Sequence, residues 1–437
     1  MIYITIEIST EDSEYMYALV QKIIDECGPR IPCSPQEAKA AEIIKKELEK
    51  ICDDVTIETF TCHPRAALGW IKIALILVLS SFCLFLLIRM FLYSNWVFIF
   101  SIFASFLAFL AVLIAWEEFF SYKEFIDPLF KKKESQNVIG KIRPDGEVKK
   151  ILIFSGHHDS ALQFNLLRYL KYGYAIINFV GLGIMFLWCL SSILFVILSI
   201  FTFAINLTLL YGIFFNLAIW LLIIGAIPVI SLFFFVSPGD RANKVPGAVD
   251  NLSAVAIVLG LGRYLQNNKD LIPKSTEIRL ISFGSEEAFL RGAFRYVEAH
   301  LEELKKYDAE CINLDAIQST NYLTFSDKEP TTRTIHSEEV VQKLIKAANL
   351  VGVKANIASL GGGSFLEKLA GLMSGGTDAA AFSKSKIKAS TITGLSMLKM
   401  VHFYHQETDT PDKIEKGVLE NALKICIGYL ITESKNG

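Results

Sequence analysis

Residues 149–160 read KKILIFSGHHDS: an apolar run that breaks into a glycine and then into two histidines and an aspartate. Six residues from Ile151 to Gly156 hold no charge, as expected of a strand buried on both faces. Three more runs of this kind follow, TEIRLISFG (276–284), ECINLDA (310–316) and KASTITG (388–394). Between and after them lie helical patterns, AVAIVLGLGRYLQ (254–266), RGAFRYVEAHLEEL (291–304), EEVVQKLIKAANL (338–350) and DKIEKGVLENALKICIGYL (412–430). Strand alternating with helix predicts an α/β fold with a mostly parallel sheet flanked by helices. Upstream, Ser34-Pro35-Gln36-Glu37 reads as a helix start, with a side-chain cap, proline at the first position and Glu37 closing a capping box. DDVTIETF (53–60) then alternates as a strand.

Two stretches do not belong to that pattern. Ile73 to Ile88 carries no charge, with Lys72 and Arg89 at its ends, and Met90 to Trp116 carries none either. Residues 172–239 run for 68 positions without Asp, Glu, Lys, Arg or His. A bilayer core of about 30 Å needs about 20 helical residues. The first stretch alone also suits a pair of buried core helices, whereas no soluble core needs the second. The chain is therefore expected to divide into α/β segments of one domain at 1–66, 121–171 and 239–437, with transmembrane hairpins at 67–120 and 172–238. Residues on either side of each hairpin belong to one domain, so parity gives four spans, although 68 residues would hold three by length.

Composition excludes other classes. Charged residues are 20% and hydrophobic ones 52%, and the net charge of −2 gives no field for a nucleic acid. The eight cysteines form no Cys-x-x-Cys pair, so a cysteine zinc site is not expected; a disulfide among Cys27, Cys33, Cys52 and Cys62 belongs to an oxidising compartment. The acidic MIYITIEISTEDSEY at the amino terminus is not read as a signal peptide.

The polar residues that carry chemistry follow the strands directly. His157-His158-Asp159, Glu286-Glu287 and Asp315 end three of them, and Asp250 (VPGAVDN) and His405 (VHFYHQETDT) sit in loops. Ligand sites in open α/β sheets form at the carboxyl ends of the strands. Two imidazoles and three carboxylates suffice for two zinc ions when one acid bridges, leaving a further carboxylate as proton acceptor. His157 and Asp159 share a face of extended chain, so Asp159 is placed to orient the imidazole.

This ordered set resembles the di-zinc metallopeptidase family of secreted bacterial leucyl aminopeptidases, aminopeptidase Y and plasma glutamate carboxypeptidase. The likeness runs through CGPRIPCSPQEAKAAEII, SGHHDS, PGAVDNLSAVA, SFGSEEAFLRGAFRYV, INLDAIQS, SGGTDAAAF and YHQETDTPDKI, in the family's order. It implies the zinc-peptidase fold, with His157, Asp250 and Asp315 on one Zn2+ and Asp250, Glu287 and His405 on the other. It further implies Glu286 as general base and Asp159 as the residue orienting His157. Two departures stand out: 93 positions separate His157 from Asp250, where the family has a short loop, and Ala379 stands where a histidine often follows the aspartate of SGGTD. His63, His158, His300, His336 and His402 read as surface or packing residues.

The expected activity is therefore that of a membrane-bound di-zinc aminopeptidase acting on a peptide or a membrane-protein terminus. A carboxypeptidase or dipeptidase of the same family, a single-zinc glutaminyl cyclase and an inactive membrane scaffold are the alternatives. Arg65, Lys123, Lys131, Lys132, Lys133, Arg168, Lys171, Arg241 and Lys244 lie on the catalytic side of the spans, against Arg89 on the far side. That bias places the catalytic domain in the cytoplasm, whereas the secreted relatives would place it outside.

Overall fold

The computed structural model describes residues 4–91, 96–200, 206–359, 375–396 and 399–434. The side chain of Arg89, and Ser374 of the SGGTDAAAF motif, lie outside what is described. The chain forms two compact units: one of Met1–Pro64, Lys131–Phe164 and Pro238–Gly437, the other of Arg65–Phe130 and Asn165–Ser237.

The first unit is α/β. Its strands are β1 (Asp54–Cys62), β2 (Lys133–Ile142), β3 (Lys150–His157), β4 (Thr276–Phe283), β5 (Glu310–Ile317), β6 (Thr324–Ser326), β7 (Lys328–Glu329), β8 (Thr334–Ile335), β9 (Asn356–Ala358) and β10 (Lys388–Gly394). Eight of them make one sheet in the order β1-β2-β4-β3-β5-β10-β6-β9, and β7 and β8 pair separately. The centre, β4-β3-β5-β10, is parallel, as expected for strands apolar on both faces. Toward the margins β1 with β2, β2 with β4, and β10 with β6 are antiparallel, while the outermost β6 with β9 is again parallel, so the sheet is mostly parallel as expected. β2 opens on Lys133-Glu134-Ser135-Gln136-Asn137, which has no strand-like alternation, and it is held by its neighbours rather than by propensity.

Helices cover both faces. Thr10–Cys27, Pro35–Leu48, Ser253–Asn267, Glu338–Leu350 and Val418–Ser434 supply one apolar layer, and Arg291–Lys306 with Ala379–Lys384 the other. Ser34 caps the second helix, its Oγ accepting from the N–H of Glu37 at 3.1 Å. The Glu37 carboxylate does not turn back onto Ser34: it accepts from the N–H of Cys33 (2.7 Å) and, across the fold, from the N–H of Ser285 (2.8 Å).

The second unit is helical: Ala66–Leu87, Trp96–Ala115, Gly173–Ile200 and Leu207–Phe233. The first helix packs on the second and fourth, and the third also on the second and fourth, closing a four-helix ring. Ala104, Ala108 and Ala111 are fully buried on one stripe, and such small residues let helix backbones approach. Trp188 fills the interior, stacked on Phe82 with centroids 4.0 Å apart and donating its Nε1–H to Ser81 Oγ at 2.8 Å. The outward positions are apolar: Phe106, Ile176, Leu187, Leu190, Trp220 and Ile223 are all exposed.

Five described helices are long and apolar enough to cross a membrane: these four, the second extending to Phe120, and Ala248–Asn267. The last differs in kind, with 89% of its most apolar window buried against 33–44% in the other four. It packs on β3 and β5 inside the α/β unit, where an all-apolar helix is a core helix.

Candidate metal centre and the residues that hold it

Three parallel strands deliver their polar ends to one edge. β3 ends at His157, opposite Phe283 of β4, and Asp315 lies near the end of β5, opposite Thr393 of β10. The chain leaves β4 through Gly284 and Ser285, with Ser285 in the left-handed region (φ 53°), and turns Glu286 and Glu287 over the same edge. Asp250 enters on the turn that leads into helix Ser253–Asn267. Gly247 sets up that turn at φ +64°, where a Cβ would lie 2.7 Å from Asp250 O and 2.8 Å from Ser160 Cβ. His405 comes from a short loop whose carbonyl accepts the N–H of Phe164, and the Phe164 ring meets the imidazole edge-on at 4.3 Å.

The resulting donor atoms fall into two groups, His157/Asp250/Asp315 and Asp250/Glu287/His405, each within 4.8 Å. Asp250 belongs to both. Its Oδ1 lies 3.2 Å from His157 Nε2 and its Oδ2 3.3 Å from His405 Nε2, so one carboxylate faces two ways. Glu287 Oε1 is 3.3 Å from His405 Nε2, and Glu286 Oε2 is 3.6 Å from His157 Nε2. The neighbouring glutamates thus serve opposite halves of the cluster.

The electrostatics fit a cation pair. Burial and the neighbouring carboxylates push Glu286 and Asp315 well above their ordinary pKa and raise Glu287. Burial opposes charge on both histidines, yet Glu286 and Asp159 beside His157, and Glu287 and Asp250 beside His405, outweigh it. His157 is held well above its ordinary value and His405 rises to about 10. Carboxylates this crowded and this dry need positive charge between them, and the donor set, two imidazoles and three carboxylates, is one that zinc accepts.

Around the donors lies a frame. Asp159 Oδ1 is 3.4 Å from His157 Nδ1, and the same carboxylate accepts the N–H groups of Glu286 (3.1 Å) and Glu287 (3.0 Å). It therefore ties the end of β3 to the turn after β4, beyond the orienting role read from the sequence. Asp409, whose importance the sequence reading missed, accepts the N–H groups of Val249 (2.8 Å) and Asp250 (3.2 Å), and burial raises its carboxyl to about 8. Asn251 bonds Leu314 O (3.1 Å) and Ala316 N–H (3.2 Å), fixing the neighbour of Asp250 to β5. Arg30, fully buried, donates to the carbonyls of Gly28 (2.7 Å), His158 (2.9 Å) and Gly247 (3.3 Å), joining the amino-terminal segment to both metal-site loops. Arg30 and Asp409 stand inside the quoted motifs CGPRIPCSP and HQETDT, so the signal was present without a stated role. Asp378 of SGGTD is buried, and neither carboxylate oxygen has a hydrogen-bond partner among the described residues; burial lifts its pKa to about 7.

Four of the remaining histidines lie apart from these two donor groups. His158 is buried on Ser282 Oγ (2.9 Å) and pushed down to about 4 by burial, His300 contacts Glu58 (2.9 Å), His336 contacts Glu329 (3.1 Å), and His402 is exposed.

Comparison with known proteins bears on the family resemblance and on the fold. Residues 234–430, just under half the chain, match Peptidase family M28. Aminopeptidase YwaD of Bacillus subtilis is 33% identical over 127 residues, which is 29% of this chain and 26% of that protein. Among solved structures, a zinc aminopeptidase from Bacillus subtilis aligns with a TM-score of 0.52 at 15% identity, over 96% of this chain and 95% of its own. An aminopeptidase from Aneurinibacillus sp. strain AM-1 gives 0.51 at 15%, over 97% and 93%. A glutaminyl cyclase from an Acidobacteriales bacterium gives 0.52 at 14%, over 100% and 99%. At such identities the structures establish the fold alone. The resemblance read from the motifs is met by the family match over residues 234–430, and the fold agrees along nearly the whole chain.

Proposed function

We propose that this protein is a membrane-bound di-zinc aminopeptidase. The observation that carries the reading is Asp250, whose two oxygens face two separate histidine-carboxylate groups. His157, Asp250 and Asp315 would hold one zinc ion and Asp250, Glu287 and His405 the other. When bound, the pair supplies an activated water and a polarised carbonyl.

Glu286 lies within the cluster but outside both donor groups. Burial keeps its carboxyl well above the ordinary range, which suits a group that takes a proton from the attacking water and returns it to the leaving amine. Asp159 keeps His157 in one orientation and holds the Glu286–Glu287 backbone, while Asp409 and Asn251 keep Asp250 aimed between the two groups.

The four helices of the second unit carry the membrane reading. They expose apolar side chains along their length and hold no charged residue between Trp96 and Ala115, between Gly173 and Ile200, or between Leu207 and Phe233. Four spans would return the chain to the catalytic side twice, and the basic residues flanking them support a cytoplasmic catalytic side. Substrates would then be peptides or protein termini presented close to the bilayer.

A matched peptide pair tests the activity: the detergent-purified protein with zinc should release residues stepwise from a free amino terminus and leave the acetylated peptide intact. Cleavage of both peptides would instead support a carboxypeptidase or endopeptidase. The likeness to glutaminyl cyclases gives the second reading its footing; one zinc per chain with cyclisation of an amino-terminal glutamine would replace the aminopeptidase reading.

A further inference from the structure

Outside the metal cluster, two thiols stand in contact within the α/β unit. Cys33 Sγ lies 3.3 Å from Cys62 Sγ, although 29 positions separate the residues. Cys33 sits in the loop before helix Pro35–Leu48, in the left-handed region (φ 58°), with its N–H held by Glu37. Cys62 is the last residue of β1 and is buried, whereas Cys33 is partly exposed. Both sulfurs lie by the catalytic turn: Cys33 Sγ is 3.6 Å from the hydroxyl of Ser285, the residue before Glu286.

We propose that Cys33 and Cys62 are a redox-active thiol pair that takes up oxidising equivalents from a low-molecular-weight disulfide and closes to a reversible intramolecular disulfide beside the Ser285–Glu286 turn. A disulfide spans about 2.05 Å, so the two sulfurs need approach by only about 1.3 Å. The pair differs from a structural staple in having one open member, which an external reagent can reach.

The two thiols divide the chemistry. Cys33, the accessible one, attacks the small disulfide RSSR. A sulfur–sulfur bond forms to Cys33, the RS–SR bond breaks, and RS⁻ leaves with the proton lost from Cys33. Cys62 then attacks the Cys33 sulfur, the Cys33–Cys62 bond forms, and the second RS⁻ leaves with the Cys62 proton. Both cysteines are oxidised, RSSR is reduced to two RSH, and no other reactant is needed. In the reduced pair the hydrogen bond from Cys33 holds the Cys62 thiol below its ordinary value; in the second step Cys33 has no proton left to donate, and the Ser285 hydroxyl and the guanidinium groups of Arg291 and Arg295 remain to favour the Cys62 thiolate. Closure draws Cys33 Sγ toward Cys62 and couples the loop before the helix to the end of β1, three residues before the helical unit begins at Arg65.

The test uses the full-length protein in detergent and oxidised glutathione as the reagent, with alkylation of remaining thiols and peptide mapping. The wild type should lose both Cys33 and Cys62 from the alkylated pool, give a peptide linking the two, and recover both thiols with dithiothreitol. Cys62→Ser should stop at a glutathione adduct on Cys33, and Cys33→Ser should leave Cys62 unmodified. A wild type that stops at the same Cys33 adduct as Cys62→Ser would overturn the proposal, as would unchanged alkylation of both cysteines. None of these readouts requires peptidase activity.

Discussion

The two units of this chain solve opposite problems with the same apolar side chains. In the α/β unit, helix Ser253–Asn267 is buried almost throughout and its hydrophobicity is spent inside, against the sheet. In the helical unit, Leu187, Leu190, Trp220 and Ile223 are exposed, and the interior combines small residues and serines with large side chains such as Phe82, Phe85, Trp188 and Phe195. Water drives the first arrangement; on the proposed membrane reading of the second, the hydrophobic force between helices vanishes and close packing takes over. Polar chemistry follows the same split. The buried carboxylates of the metal cluster are tolerated because they sit at strand ends, where backbone N–H groups and histidines answer them.

Each side of that contrast can be broken. Glu286→Gln attacks the polar cluster: turnover should fall about 10²–10⁴-fold while metal content measured by elemental analysis stays at two ions per chain. Retained activity would remove Glu286 from the mechanism. Leu187→Arg attacks the apolar surface; it lies mid-helix and is 53% exposed. In a bilayer it should weaken insertion by about 2.5–3.5 kcal/mol, read by alkaline extraction from membranes. Were that surface facing water, the change would stay within about 0.5 kcal/mol, as for ordinary surface sites.

Smaller changes sharpen the comparison. Asp159→Asn should weaken metal binding about 10–100-fold by titration calorimetry, because the imidazole of His157 and the Glu286–Glu287 backbone lose a charged acceptor. The pH dependence has a definite sign. His405, raised to about 10, is protonated at neutral pH without metal, and a metal ligand must be neutral, so binding releases its proton. Affinity should rise by up to about tenfold per pH unit between pH 7 and 9, and calorimetry in buffers of different ionisation enthalpy should count the released protons. A flat profile would show that the ligands are already deprotonated. The least effect is expected for Ser34→Ala, about 1 kcal/mol in denaturant unfolding, from loss of one helix cap.

Much of this arrangement was legible beforehand, for reasons that differ by region. Central strands such as Ile151–Gly156 are apolar on both faces and announce themselves; β2 is polar at its start and acquires its place only by pairing with β1 and β4. The six residues read as donors and base all come together, since strand ends in a parallel sheet share an edge. Their supports were harder to see. Asp409 acts on backbone N–H groups 159 and 160 positions away, and Arg30 on carbonyls 128 and 217 positions away. Such bonds leave no periodicity, because backbone groups carry no side-chain signature.

The sequence by itself determined which segments are strands and helices buried on both faces, where uncharged runs interrupt them, and which residue types stand ready to hold metal. Those are local properties, set by hydrophobic period, chain length and side-chain chemistry. Only the tertiary structure decided that β1, β2 and β6 join the sheet antiparallel, that Glu37 reaches Ser285 as well as Cys33 instead of closing on Ser34, that Asp250 faces two histidines, and that Cys33 meets Cys62. Each of these depends on distances between residues far apart in the chain, and such distances exist only once the chain has closed on itself.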